Sequence, residues 1–433
     1  MKLFVFLVFV LLGIGRNLPF QELYFFGLGM ADYLFCLLFL FSLLKPESLQ
    51  ALLYEYRVLR APIVATGCIG ALAMASLVFN AQIYGVEVRD LFEIIKYYYL
   101  LIVMIMASHY TRTMGIVPAE GFVVGVIVSG VVAFLNPMNP DVLGTPQIFN
   151  PNVIGNVLSV AVVFCSFVIL AGYPLRGVLL AFFSAAISFF TFSKGAWLMS
   201  TFGLIACYLA LTNLGKRNAS LALKFGKYMA FLTFAGLLYV VYEFWDVIST
   251  IVVAKIAATD FEATAAEGGS FSARAGLMLS AFYMFLMNPL LGVGISNFEY
   301  VNHLLESNLG SAYYDDDNPN SAWFYVLGCM GLPAFILFTY IFYWFLKRVH
   351  LFSFVNPKAR YLYVICIGVV FLIGGNVQLE MLTAYYYWIA LGVVAGWGEF
   401  KEQTRALPFP EESLQVIAQS HATIHEQPPE NQV

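Results

Sequence analysis

Stretches of about 20 predominantly apolar residues recur along the chain as far as residue 397, separated by short polar turns, and few folds tolerate such a pattern. Lipid offers the backbone no hydrogen-bond partner, so a chain of this kind crosses a bilayer as helices that satisfy their own amides. Of the 433 residues, 61% are hydrophobic and 11% charged, where an ordinary soluble domain carries about 25% charged residues. The expectation is an all-α, polytopic integral membrane protein with about twelve transmembrane helices. They are expected near 3–15, 23–44, 61–80, 89–109, 116–136, 153–171, 174–192, 195–213, 226–246, 321–345, 358–378 and 381–397. The first run ends at Gly13-Ile-Gly-Arg16 with no small-residue cleavage site, so it is read as a span and not as a signal peptide.

Lysine and arginine set the orientation, because they are retained on the cytoplasmic side. With the N-terminus inside, sixteen of the 22 fall on cytoplasmic segments, five fall outside (Arg16, Arg89, Lys194, Lys255, Arg274), and Lys96 lies within a span. Both termini are therefore expected in the cytoplasm. The segment from Lys45 to Arg60 holds three cations and reads either as a topology anchor or as a surface lying on anionic headgroups. All six cysteines fall inside expected spans, so neither a disulfide framework nor a metal cluster is implied.

The longest polar interruption, Val247 to Asn320, would then face outward. The domain reading is a transmembrane bundle of about nine helices over 1–246, a large periplasmic loop over 247–320, three further spans over 321–397, and a disordered cytoplasmic tail over 398–433. A 74-residue loop without a domain's worth of strands points to function, and its apolar content argues against disorder. Within it, 271–287 is nearly all apolar after Arg274, and Asn288-Pro-Leu-Leu-Gly-Val-Gly294 turns the chain back. Residues 297–308 read as an amphipathic helix, with Phe298, Val301, Leu304 and Leu305 on one face and Glu299, His303 and Glu306 on the other.

Several polar residues stand where topology gives them no reason to be. Arg89, Glu93 and Lys96 share one helical face at the outer end of a span; they either turn toward a cavity or pair among themselves. Lys194, in the tight outward turn Phe192-Ser-Lys-Gly-Ala-Trp197, runs against the positive-inside bias and is a candidate anion ligand. Arg274 is the one arginine of the outer loop. A cation-poor outer face that keeps these few suits an anionic, membrane-embedded substrate such as a lipid pyrophosphate, because arginine matches phosphate oxygens bidentately and lysine supplies a point charge. No nucleotide-binding glycine loop, metal-ligand spacing or nucleophile elbow is present.

Three patches resemble the bacterial O-antigen polymerase and O-antigen ligase superfamily. Phe149-Asn-Pro-Asn-Val-Ile-Gly-Asn156 is similar to the family's Asn-Pro-Asn helix start, and Phe192 to Trp197 to its Ser-Arg-Gly-Ala turn with Lys194 in the cationic place. Ser272-Ala-Arg-Ala-Gly276 through Asn288-Pro-Leu-Leu-Gly-Val-Gly-Ile-Ser-Asn-Phe298 resembles the core of its large periplasmic loop. Ligases in the family carry a His, then Asn, Ser or Gln, nine residues, and Gly-x-x-Gly. Counted back from Gly331, Ser321 takes the second place, Asn320 stands where the His would be, and Ala334 replaces the last Gly. A register one residue earlier would put Pro319 there. Neither is a base, so the resemblance favours a polymerase.

The resemblance implies a GT-C-like frame in the bacterial inner membrane that works on undecaprenyl-pyrophosphate-linked oligosaccharide, with no cofactor, no metal and no nucleic acid. It implies inverting transfer of the growing glycan to an incoming lipid-linked unit, and as partners membrane lipids, a chain-length regulator and a flippase of the same pathway. The expected pyrophosphate ligands are Arg89, Lys194 and Arg274; the expected catalytic set is Arg274, His303, Asp315 and, at the ligase His position, Asn320. Histidine is the side-chain type suited to base work at neutral pH, while Asp315, in the run Asp315-Asp316-Asp317, needs burial or its neighbours to become a stronger base. A ligase that transfers glycan to a lipid A-core acceptor is the nearest alternative. A secondary transporter or flippase of lipid-linked sugars also has many helices and buried ionisable groups, but two similar halves are not apparent here.

Overall fold

A computed structural model describes residues 1–14, 30–44, 46–84, 88–135, 151–191, 193–214, 270–295, 297–309, 321–377 and 385–406. All regular structure among them is helical, in fourteen helices: α1 Lys2–Ile14, α2 Met30–Leu44, α3 Pro46–Val58, α4 Arg60–Tyr84, α5 Val88–Met114, α6 Val117–Leu135, α7 Pro151–Leu170, α8 Pro174–Phe190, α9 Lys194–Thr212, α10 Ser270–Met287, α11 Phe298–Leu309, α12 Ala322–His350, α13 Pro357–Val377 and α14 Tyr385–Ala406. Each expected span other than 226–246 coincides with one of these helices; 226–246 lies outside the described residues. Five helices, α4, α5, α9, α12 and α13, are long and apolar enough to cross a membrane, or six spans if the bent α2–α3 pair counts as one. Six shorter apolar helices accompany them.

Without a hydrophobic force between helices in lipid, close packing of small residues holds such a bundle together. Gly121 and Gly125 of α6, one turn apart, face α1. A methyl group on Gly121 would stand 2.7 Å from the Phe6 carbonyl, and one on Gly125 would collide with the Val10 carbonyl. Gly392 and Gly396 of α14 sit in the same way against the Met104 and Ser108 carbonyls of α5. In both pairs the contacts advance along the two chains together, so α1 runs parallel to α6, and α5 to α14. That is what strict alternation of the expected spans requires.

The cations that close α3, α5 and α12 and open α4, α8 and α13 gather at one end. Arg176 of α8 pairs with Glu120 of α6 at 3.7 Å. Asn213, just after α9, donates to the Ser353 carbonyl at 2.9 Å and accepts from the Val355 amide at 2.6 Å, tying α9 to the α12–α13 turn.

The segment Lys45 to Arg60 is more than a charged connector. It forms α3, turned by 108° from α2, with Leu52, Glu55 and Leu59 inward and Leu49, Leu53 and Tyr56 outward. Glu55 is wholly buried: Ser108 of α5 donates to one carboxylate oxygen at 2.6 Å, and the Arg112 guanidinium binds the other. Arg112 also lies over the Tyr54 ring, 4.7 Å from its centroid. Beside the anchor or headgroup surface that the sequence suggests, the buried carboxylate shows that α3 packs on α5.

Candidate active site

α12 is the element on which α10 packs, and it is broken. Gly331 adopts φ 80° and ψ −180° in its middle, with Pro333 two residues on. The break follows from the sequence, because proline has no amide hydrogen to return to the carbonyl four residues back, which here belongs to Cys329. In lipid an orphaned backbone group costs several kcal/mol, of order the price of leaving a polar group unpaired in hydrocarbon. The partners come from the turn between α10 and α11. The Gly294 amide donates to the Cys329 carbonyl at 3.0 Å, the Val293 amide to the Gly328 carbonyl at 3.1 Å, and the Leu332 amide to the Pro289 carbonyl at 2.8 Å.

That turn is shaped by its own residues. The Asn288 side chain accepts from the Leu291 amide at 3.3 Å, and the Asn288 carbonyl accepts from the Gly292 amide at 2.8 Å, the local bonding that makes Asn-Pro a turn former. Gly292 and Gly294 take φ 66° and 105°, and Asn297 ahead of α11 donates back to the Val293 carbonyl at 2.8 Å. The tip sits at the level of 328–332. Nine residues of helix separate Gly331 from the start of α12 at Ala322, roughly 13 Å at 1.5 Å per residue. Two polar side chains of α4 complete the junction. Ser76 Oγ donates to the Cys329 carbonyl at 3.3 Å, and Asn80 Nδ2 donates to the Gly292 carbonyl at 3.2 Å and to the Ser76 carbonyl at 2.8 Å.

A second junction joins the start of α7 to the turn before α9. Ser193 caps α9, its hydroxyl accepting from the Ala196 amide at 3.4 Å. Trp197 donates to the Phe189 carbonyl at 2.8 Å and stacks on the Phe189 ring. Beneath them Ser159 of α7, Ser188 of α8 and Ser200 of α9 bond to one another at 2.8–3.1 Å. Gly155 of α7 leaves no room for a methyl group against Ala196, 2.7 Å away. One turn from Ser159, Asn156 is 1% exposed, and neither atom of its amide has a hydrogen-bond partner.

The sequence candidates distribute around these junctions. Arg89 lies in the first turn of α5, Lys194 opens α9, and Arg274 lies in the second turn of α10; their side chains are outside the described atoms. The three helices pack on different neighbours: α5 on α14 and α4, α9 on α7 and α13, α10 on α12. His303 is exposed on α11, away from the buried Phe298, Val301 and Asn302. Leu304, expected on the apolar face, is 44% exposed; the inward face runs instead through 298, 301, 302 and 305, the i, i+3, i+4, i+7 stripe of a straight helix. Asp315 and Asn320 lie outside the described residues. Among the described residues no three His, Cys, Asp or Glu side chains gather as a metal site would need. Ser76 and Asn80 were not anticipated, although a polar pair four residues apart within an apolar run was the available signal.

Parallel glycine-packed helices, a charge-segregated end and a broken helix sealed by an inserted turn define a multi-pass, all-helical membrane protein. Residues 179–339, from within α8 to within α12, match the protein family described as O-Antigen ligase. The match supports a place in the O-antigen polymerase and ligase superfamily, whose members are glycosyltransferase-like enzymes. No curated protein matches the chain.

Proposed function

We propose that the protein polymerises undecaprenyl-pyrophosphate-linked oligosaccharide repeats at the periplasmic face of the bacterial inner membrane. The growing glycan passes to the non-reducing hydroxyl of an incoming lipid-linked unit. Attack in line on the anomeric carbon forms the new glycosidic bond, breaks the bond to pyrophosphate with inversion, and leaves undecaprenyl pyrophosphate. Pyrophosphate leaves well once its charge is held, so electrostatic stabilisation carries most of the barrier reduction, and no metal is needed in the scheme. The basic end of the bundle would face the cytoplasm by the positive-inside bias, which puts the starts of α5, α9 and α10, with Arg89, Lys194 and Arg274, on the periplasmic side.

The observation that carries polymerase over ligase is Asn320. The count is taken back from Gly331, the residue of α12 with non-helical backbone angles, and a neutral amide at the ligase His position cannot act as a general base. The family description favours ligase as the second reading. Glycan analysis of a deletion strain separates them: single repeats on the acceptor support polymerase, whereas long lipid-linked polymer beside an uncapped acceptor overturns it in favour of ligase.

Arg274→Lys is expected to reduce polymerisation by about ten-fold or more, because charge remains and the bidentate geometry goes. A fully active lysine variant at normal protein level would remove Arg274 from the pyrophosphate site. His303→Ala is expected to reduce polymer formation by roughly 100-fold, the usual worth of a general base, with lipid-linked single repeats accumulating. Unchanged polymer length in that variant, and in one lacking Asp315, Asp316 and Asp317 together, would mean that leaving-group activation alone drives transfer.

A further inference from the structure

We propose that Ser76 and Asn80 of α4 are positioning residues: they lock the outer-loop tip 288–294 into the break of α12 and so set the height of α10 and α11. The proposal deepens the functional reading above, resting on its assignment of Arg274 in α10 and His303 in α11 to the reaction. Ser76 and Asn80 lie outside the segment that matches the family.

The two side chains stand one turn apart on a single face of α4, 0% and 4% exposed, and each reaches a different partner. Ser76 binds the broken helix through the Cys329 carbonyl; Asn80 binds the inserted tip through the Gly292 carbonyl. Cys329 is the residue whose carbonyl Pro333 leaves without a helical partner, and its two lone pairs are now taken by the Gly294 amide and the Ser76 hydroxyl. The Gly292 carbonyl belongs to the tightest point of the tip, where a methyl group on Gly292 would stand 2.5 Å from the Met330 nitrogen and 2.6 Å from the Cys329 oxygen. A third helix thus grips both halves of the contact at once. If the grip loosens, the tip is still joined to α12 by three backbone bonds, but it loses the Asn80 hydrogen bond that ties it laterally to α4. The helices on either side of the tip would then hold Arg274 and His303 at a less well defined height above the bilayer. Small misplacements of reacting groups reduce turnover steeply, while substrate capture by charge at the surface tolerates them.

The test uses the full-length protein in lipid nanodiscs with undecaprenyl-pyrophosphate-linked single repeats as substrate. Asn80→Leu keeps the approximate volume but cannot donate to the Gly292 carbonyl, and Ser76→Ala removes the other bond; Asn80→Gln and Ser76→Thr restore a donor. Amide exchange at Val293 and Gly294 is expected to rise about five-fold in the first two variants, the effect of one lost hydrogen bond. Turnover is expected to fall about 10- to 100-fold with KM held within about two-fold, and Ser76→Thr to recover most of it. Unchanged exchange in both Asn80→Leu and Ser76→Ala overturns the anchoring. Raised exchange with unchanged kcat overturns the positioning role, as does a loss expressed wholly in KM. A wild-type protein that makes no polymer would overturn the polymerase reading instead, and the exchange measurement would still decide whether the tip is anchored.

Discussion

Replacing Gly331 by alanine is expected to cost roughly 2–6 kcal/mol and to abolish polymer formation. A non-glycine residue held at a strained, positive φ costs about 1–3 kcal/mol, and Gly331 sits at φ 80°. The added methyl group would also collide with the Leu290 carbonyl and stand 2.8 Å from the Leu291 nitrogen, both backbone atoms that no side-chain rotation can move. Overpacking of that kind adds about 1–3 kcal/mol. If the tip is expelled to relieve the clash, the Cys329 and Gly328 carbonyls lose their amide partners, so the defect spreads to the whole junction. Gly67→Ala in α4 is the control, because nothing lies within 4 Å of the new methyl group and a helical glycine gains up to about 1 kcal/mol on becoming alanine. Thermal unfolding of both variants in one detergent, with polymer length from complemented cells, reads the difference. A Gly331→Ala protein that melts and polymerises like Gly67→Ala would mean that the tip does not depend on this glycine.

The helices were legible in the sequence because period and length of apolar runs are local properties, and lipid enforces them. The patches behind the family resemblance were legible as motifs, and the structure gives them a physical basis in pairs. The helix start 151–156 packs through Gly155 on the turn before α9, and Pro289 to Gly294 bonds to the chain around Gly331. That pairing is long-range, so no single stretch announces it. The break in α12 was written locally as Gly331-Leu332-Pro333, a glycine ahead of a proline that can begin a new helical turn, yet it lay inside an apolar run that reads as one span. Ser76 and Asn80 were hidden in the same way. α3 was missed for the opposite reason: its exposed charges suit a cytoplasmic connector, and a buried Glu55 becomes intelligible only beside Arg112, which lies 57 residues away.

That pair supports the second large effect. Glu55→Ala is expected to destabilise the protein by about 3–5 kcal/mol, the cost of removing one partner from a buried ion pair. Glu55 is fully buried and the Arg112 side chain only 12% exposed, so water cannot replace the carboxylate without opening α3 from α5. One guanidinium nitrogen of Arg112 already lacks a hydrogen-bond partner; without Glu55 the cation would keep little beyond the face of Tyr54, and a cation–π contact of this kind is worth about 0.5–2 kcal/mol. Glu55→Gln should lose less, since an amide oxygen still accepts from Ser108. Removing both charges in Glu55→Leu/Arg112→Met should recover most of the loss, because an apolar replacement of a buried pair is often neutral. Strong coupling, on the order of 2 kcal/mol or more, is the expected result from thermal melts of wild type, Glu55→Leu, Arg112→Met and the double variant. Strictly additive losses, or a Glu55→Ala protein as stable as wild type, would mean that α3 is held by Leu52 and Leu59 and that the carboxylate contributes nothing.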